Sequence, residues 1–398
     1  MAAALFAKRA GASVLLLEHN EKLGKKLYIT GKGRCNVTNN CEQEEFLSSV
    51  PRNPRFLYAA LNHLSPRGLI DLLNSLGCPT VTERGKRVFP ASQKASDITK
   101  AFASKLDAKE VRLNARVADI VVENQQVMGV KLSNDEFIPS GAVILATGGL
   151  SYPITGSTGI GHELAKRLGH SIMPCTPSLT GFNTRDEWPQ TLQGLTLKNV
   201  ALHASWPKRG KFSEQGELLF THFGVSGPLV LSLSGMLAGS DPTAAELTLD
   251  LKPALSPGVL EERLLNDMNT SSRKTLSNLL RAYLPASMAD IFPEIIGLDG
   301  AVTMNQFTQK DRETLIQGFK HLPVHLHSAR SFKEAVVTCG GVDVKEVNPS
   351  TMASKKVAGL FFAGELLDVD ALTGGFNLQI AFSTGALAGS SAARFIHH

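Results

Sequence analysis

The sequence predicts an α/β fold, a dinucleotide-binding unit of Rossmann type interrupted by two inserted subdomains, and three observations predict it. The opening stretch MAAALFAKRAGASVLLLEHN reads as a helix, a glycine turn at Gly11 and a strand from Ser13 to Leu17 ending in the acid Glu18. AVILATGG is a short continuous apolar run closed by two glycines, the pattern of a strand buried on both faces of a parallel sheet. Residues 178–255 then carry short strands rich in turn residues, and residues 256–329 a helical pattern, before strand signals return.

Each element follows from its local pattern. Ala2 to Ala10 is small and apolar, suited to a helix pressed against a sheet. NEKLGKKLYITGKGRCNVTNN, rich in glycine, cations and small polar residues, reads as a long ligand-facing loop. Leu69, Leu72, Leu73 and Leu76 share one helical face, which is core. VTERGKRVFP reads as a hairpin and Ser96 to Leu106 as a helix. From Val111 the period becomes two, and VADIVVEN, QVMGVKLS and EFIPSG form an antiparallel meander. GLTLKNVALHASW, GELLFTHFGVSGP and AELTLDLKP supply strands of the first insert, whereas LEERLLNDM, KTLSNLLRAYL and KDRETLIQGF supply helices of the second. EAVVTCGGVDV and VAGLFFAGE are strands again, and NLQIAFSTGALAGSSAARFI closes the chain as a helix. The expected organisation is 1–177 with 330–398 as the nucleotide-binding domain, 178–255 as the β-rich insert and 256–329 as the helical insert.

Composition narrows the function. At 398 residues and 43% hydrophobic content the chain can bury a sizeable core, and 35 glycines beside 19% charged residues favour close backbone approaches. A net charge of +5 is scattered, without an aromatic-studded basic run, so nucleic acid is not expected as a partner and a small-molecule substrate is. No membrane partner is expected, since no apolar run reaches the roughly 18 residues of a spanning helix. Five cysteines without a C-x-x-C fit a reducing compartment, and a cytoplasmic location is expected. GHELAKRLGH fails the H-E-x-x-H pattern because Lys166 stands where the second histidine is needed. GSTGIG before it could be a second phosphate loop for a nicotinamide cofactor, but it follows the ATGG strand only after SYPIT, so helix entry is the favoured reading. His325 and His327 lack a third ligand, so no metal is expected, and His397 and His398 read as a tail.

The set TGKGRCN, ATGG, TCGGVD and GLFFAGELLDVDALTGGFNLQIA, in this order and at these separations, resembles the HI0933-like family of flavoproteins, NAD(P)/FAD-dependent oxidoreductases that include aminoacetone-oxidase-type and bile-acid-reductase relatives. The resemblance implies a discontinuous Rossmann-like FAD-binding domain with β-barrel-like and helical insertions and an extended flavin. By that likeness Glu18 would hold the adenosine ribose. Gly24, Lys25, Lys26, Thr30, Gly31, Gly33, Arg34, Cys35 and Asn36 would run beside the pyrophosphate and ring. Val117 would offer backbone to the adenine, and Ala146, Thr147, Gly148 and Gly149 would pack on the adenosine half. Gly364, Glu365 and Asp368 would meet the ribitol chain and phosphates. Gly374, Gly375, Asn377, Leu378 and Gln379 would open the last helix, whose free N–H groups favour the negative charge of a reduced flavin. Cys35 reads more readily as packing than as a redox thiol, and His222 in FTHFGVSGP as either a substrate-side group or a buried turn residue.

One departure stands out. A Rossmann acid follows its glycine turn by roughly 20 residues, and counting back that far from Glu18 passes Met1. The first strand and G-x-G-x-x-G turn are therefore not in the sequence; a late-called start is favoured over a cut or a real truncation, and weak or absent FAD binding and poor stability are expected of these residues alone. The expected activity is hydride transfer between flavin and a small organic substrate or NAD(P)H, either amine oxidation with oxygen or NAD(P)H-driven enone reduction. The rival is a flavin-binding or scaffold protein without turnover. No catalytic side chain and no oligomeric state are legible.

Overall fold

The computed structural model describes residues 1–208 and 210–397. The chain divides into two units, Met1–Leu179 with Ser331–His398, and Thr180–Arg330; His398 lies outside the described residues.

The first unit is the Rossmann-like one. Helix α1 (Ala2–Arg9) leads to strand β1 (Leu16–Leu17), which pairs in parallel with β2 (Val111–Arg112). The predicted strand from Ser13 is paired only over these two residues. The meander forms as β3 (Val117–Glu123), β4 (Gln126–Leu132) and β5 (Phe137–Pro139), antiparallel throughout. Its second strand buries Val127 and Gly129 and then Val130 and Leu132, so its alternation changes phase next to a register shift against β3 at Met128. AVILATGG supplies β6 (Val143–Leu145), which runs parallel to β7 (Leu360–Phe362), buried along its whole length. The strand before the insert, Ile172–Ser178, pairs antiparallel with Val337–Val342. The last helix, α2 (Phe376–His397), packs on α1, and His397 is its final turn rather than a tail.

The loop after Glu18 is more ordered than its composition predicts, because Leu27–Gly33 winds into a 3-10 helix. The leucine-striped helix spans Pro66–Ser75, with Ser65 capping the Gly68 N–H through its hydroxyl and Leu69, Leu72 and Leu73 buried.

The second unit is a seven-stranded antiparallel sheet with helices packed on it. Its long hairpin, Thr196–Trp206 with Gly210–Thr221, carries Leu202, Leu218 and Phe220 into the same apolar cluster as Leu260 and Leu264 of helix Pro257–Thr270 and Phe319 of helix Gln309–Lys320. The β-rich and helical segments thus share one core.

Candidate functional site

Three stretches far apart in sequence meet in the first unit. Lys26, at the head of the 3-10 helix, donates to Glu365, which follows β7, and to the Ser151 hydroxyl at 2.9 Å. Ser151 in turn donates to Glu365 Oε1 at 2.7 Å, and the Thr338 N–H donates to the same oxygen at 2.8 Å. Thr338 Oγ1 accepts from the Leu150 and Ser151 N–H groups at 2.8 and 3.0 Å. Glu365 is thereby fixed by the TGKGRCN side, the ATGG turn and the TCGG strand at once. The turn sits so close that a Cβ on Gly149 would lie 2.5 Å from Thr338 Oγ1.

The same loop also meets the start of the last helix. Asn39 Nδ2 donates to the Gly374 carbonyl at 3.1 Å, and Thr38 Oγ1 donates to Gln379 Oε1 at 2.6 Å. Gly375, at φ 98°, sits where a Cβ would be 2.4 Å from the Thr38 carbonyl and 2.9 Å from Asn36 Oδ1. Only glycine fits that bend. It delivers the chain into α2 with no acid in the first turn, and helix geometry leaves the Phe376, Asn377 and Leu378 N–H groups without intrahelical acceptors. A cation at Lys26, bare glycine backbone and an acid-free helix start fit an elongated anionic ligand such as FAD.

The remaining residues singled out from sequence take varied places. Glu18 accepts from the Asn20 N–H and Nδ2, both at 2.9 Å, and its carbonyl accepts from Ala115, two residues before Val117, so these two share one end of the sheet. Lys25 reaches Glu21 at 3.2 Å. Gly24 abuts Thr99 and Gly31 the Asn36 N–H, while Thr30 Oγ1 donates to the Leu27 carbonyl and Gly33 closes the 3-10 turn. Arg34 stacks 4.2 Å above the Phe89 ring and pairs with Glu83. Ala146 continues β6, Gly148 lies against Ser157, and the buried Thr147 hydroxyl abuts Gly161.

Several of these side chains serve the protein itself. Gln379 is fully buried and spends its amide on Thr38, the Leu64 carbonyl and Ser383. Asn377 bonds the Ala371 N–H and carbonyl at 2.9 and 2.7 Å, which holds the loop before the helix. Leu378 packs against the apolar cluster under the 3-10 loop, and the Gly364 N–H donates to Thr384 Oγ1. Cys35 is fully buried, and burial pushes its thiol up to about 11, so it packs rather than reacts.

Sequence reasoning missed the hydroxyls of Ser151 and Thr338, although each lies in or directly after a glycine motif. It also missed Arg52 and Asn53, in an irregular segment without any pattern. Arg52 grips the buried Asp370 with two hydrogen bonds of 2.8 and 2.6 Å, joined by Ser178 Oγ at 3.0 Å. Asn53 Nδ2 donates to the Asp368 carbonyl at 2.7 Å and carboxylate at 3.1 Å. Burial pushes the Asp368 carboxyl up, against the opposing pull of Asn53 and Arg52.

In the second unit His222 lies edge-on to Phe223, over which Arg330 stacks at 4.2 Å while donating to Asn183 Oδ1 at 2.9 Å. His325 bonds Asp186 through Nδ1 at 2.8 Å and through its N–H at 2.7 Å. Among the described residues no group of three His, Cys, Asp or Glu side chains is placed to hold a metal ion, and no helix is long and apolar enough to cross a membrane.

Residues 1–391 match the family described as HI0933-like protein Rossmann domain. The chain is 30% identical over 383 residues to a ribosomal RNA dihydrouridine synthase of Haemophilus influenzae, covering 94% of this chain and 91% of that protein. It is 27% identical over 392 residues to a 3-dehydro-bile acid delta(4,6)-reductase of Clostridium scindens, covering 96% and 93%. Among solved structures, a 3-ketosteroid-delta4-(5alpha)-dehydrogenase from Rhodococcus jostii RHA1 superposes with a TM-score of 0.51 at 14% identity, covering 98% of this chain and 94% of that one, a likeness of fold.

Proposed function

From the premise that the chain belongs to the HI0933-like family, we propose that it is an FAD-dependent reductase of a carbon–carbon double bond conjugated to a carbonyl, with uridine in RNA as its substrate. The convergence of Lys26, Ser151 and Thr338 on Glu365, with α2 beginning directly after Gly375, carries the reading. The two relatives named above point to one reaction type: saturating uridine to dihydrouridine and reducing a 3-oxo dienone both add a hydride and a proton across a double bond in conjugation with C=O. The scattered charge that argued against nucleic acid is outweighed by the relative named for ribosomal RNA. The bile-acid reductase relative favours a second reading, in which a small enone is the substrate.

FAD, when bound, would supply the hydride, with NAD(P)H as the source of its electrons. Glu18, the Val117 backbone and residues 146–149 would hold the adenosine half, the 24–36 loop would run beside the pyrophosphate and ring, Glu365 would meet the ribitol chain and phosphates, and the 374–379 turn would face the ring end. Lys26 offsets anionic charge along this path while Glu365 keeps its ammonium in place. The N–H groups at the start of α2 would favour the negative charge of a bound, reduced flavin. Asp368, whose carboxyl burial favours the protonated form, would give a proton from its carboxyl oxygen to the substrate carbon next to the carbonyl and regain it from water. Two electrons and one proton leave NAD(P)H as hydride, the second proton comes from solvent, and the double bond becomes a single one.

Anaerobic stopped-flow on the flavin-loaded protein tests this. Rapid bleaching by NADH or NADPH and reoxidation by uridine-containing RNA, with dihydrouridine found by mass spectrometry, are expected. Reoxidation by a dienone but not by RNA selects the second reading, and bleaching by amines alone overturns both.

A further inference from the structure

A cleft of about 600 Å³ lies on the first unit between residues 53–56 and 344–355. Its floor is apolar, with Phe56, Val344 and Val347 buried. Its rim carries three exposed cations, Arg55, Lys345 and Lys355. Elsewhere on this unit Lys8, Lys86, Arg112 and Lys131 are each held by a carboxylate. The rim cations form no such ion pair among the described residues, and the Lys355 ammonium donates only to the Lys345 carbonyl, at 2.7 Å. The acids nearby are already engaged: Glu346 accepts from Lys356 and Ser171, and Asp343 Oδ1 accepts the Lys345 N–H. Asn53 lines the cleft and at the same time bonds Asp368, so the opening adjoins the carboxyl assigned above to proton delivery.

We infer that this cleft grips the phosphate backbone of the RNA whose uridine is reduced. The inference rests on the proposed reading of the substrate. Three unpaired cations around one depression suit a polyanion, since phosphate contacts fix position without reading sequence. A single-stranded contact of this kind contributes about 0.7 to the slope of log affinity against log salt, so three contribute about 2. The buried apolar floor gives the cations a fixed base, and Asn53 couples it to the Asp368 segment.

The test is fluorescence anisotropy of the flavin-loaded protein with a 5′-labelled, uridine-containing single-stranded RNA, comparing wild type with the triple variant Arg55→Gln, Lys345→Gln, Lys355→Gln. The variant is expected to keep its flavin content and its rate of reduction by NAD(P)H, to bind RNA at least about tenfold more weakly, and to show a salt slope shallower by about 2. Equal affinity and slope in the two proteins would overturn the cleft while leaving dihydrouridine formation, measured separately, to judge the substrate. Absence of RNA binding by wild type overturns it too, as does binding to phosphatidylglycerol vesicles that depends on these three residues while RNA binding does not.

Discussion

Asp368 and His170 show how burial turns a side chain into a chemical or a structural device. Asp368 is held by one neutral donor, Asn53, and faces the charges of Arg52, Asp370 and Asp343, with burial as the largest influence on its carboxyl. Asp368→Asn is expected to leave flavin reduction by NAD(P)H unchanged and to slow reoxidation by substrate about 100-fold; an unchanged reoxidation rate would remove it from the reaction. His170 is buried on the Phe362 ring, 4.8 Å between centroids, with Nε2 2.8 Å from Ser354 Oγ and Nδ1 3.2 Å from Glu346. Burial outweighs the pull of Glu346 and lowers its pKa, so the ring stays neutral in the fold while the unfolded chain takes up a proton below about pH 6.5. That contribution to stability is present above pH 6.5 and declines as the pH falls. Glu346 adds a second, lower window. Desolvation pushes its carboxyl up, but hydrogen bonds from Lys356 and Ser171 outweigh it and bring the pKa to about 2, so its share is lost only below about pH 4.5. Thermal melts should therefore show Tm falling between pH 7 and 5.5 in wild type, and a flatter response in His170→Gln, whose Tm at pH 7.5 is already lower.

The packing of α2 on α1 makes a sharp comparison between two glycines of one helix. A Cβ on Gly389 would stand 2.2 Å from the Ala3 carbonyl, whereas one on Gly385 would meet nothing nearer than 3.5 Å. Gly389→Ala is expected to destabilise by about 1–3 kcal/mol through overpacking. Gly385→Ala should be neutral or stabilising, because alanine is the better helix former by up to about 1 kcal/mol. Equal melting points for the two variants would contradict the close approach. Elements with contrast in their pattern were legible in the sequence: the meander and the Leu69–Leu73 stripe stand where their periodicity put them, and the continuous apolar run AVILATGG forms its parallel strand, although Val143 and Ile144 are only half-buried rather than covered on both faces. Helix Pro228–Leu237 was not, because PLVLSLSGML is apolar on nearly every side and leaves no 3.6-residue contrast amid strand signals. The 3-10 turn at Leu27–Gly33 was hidden by its glycines, which look like loop whether or not they wind. At the site the glycine motifs were readable, since bare backbone leaves a mark in composition. The Ser151–Thr338–Glu365 arrangement was not, because hydroxyls that meet across 187 residues leave no local trace.

At the scale of the molecule, the chain leaves the first unit after Leu179 and returns at Ser331. The segment between has its own core, in which Phe182, Phe220, Leu233, Leu249, Phe292 and Phe319 are all buried. Residues 180–330 expressed alone are expected to melt cooperatively with native-like circular dichroism; a broad, non-cooperative transition would mean that this core needs the rest of the chain.

The two ends of that segment are joined by a hydrogen bond from the Arg330 N–H to the Gly181 carbonyl, 2.9 Å long. Entry and exit are therefore neighbours, and closing the host chain across this seam costs little entropy whatever lies beyond it. Evolution, or an engineer, can trade the whole cassette for a foreign one of different length at a single doorway, while the Rossmann-like half is inherited intact.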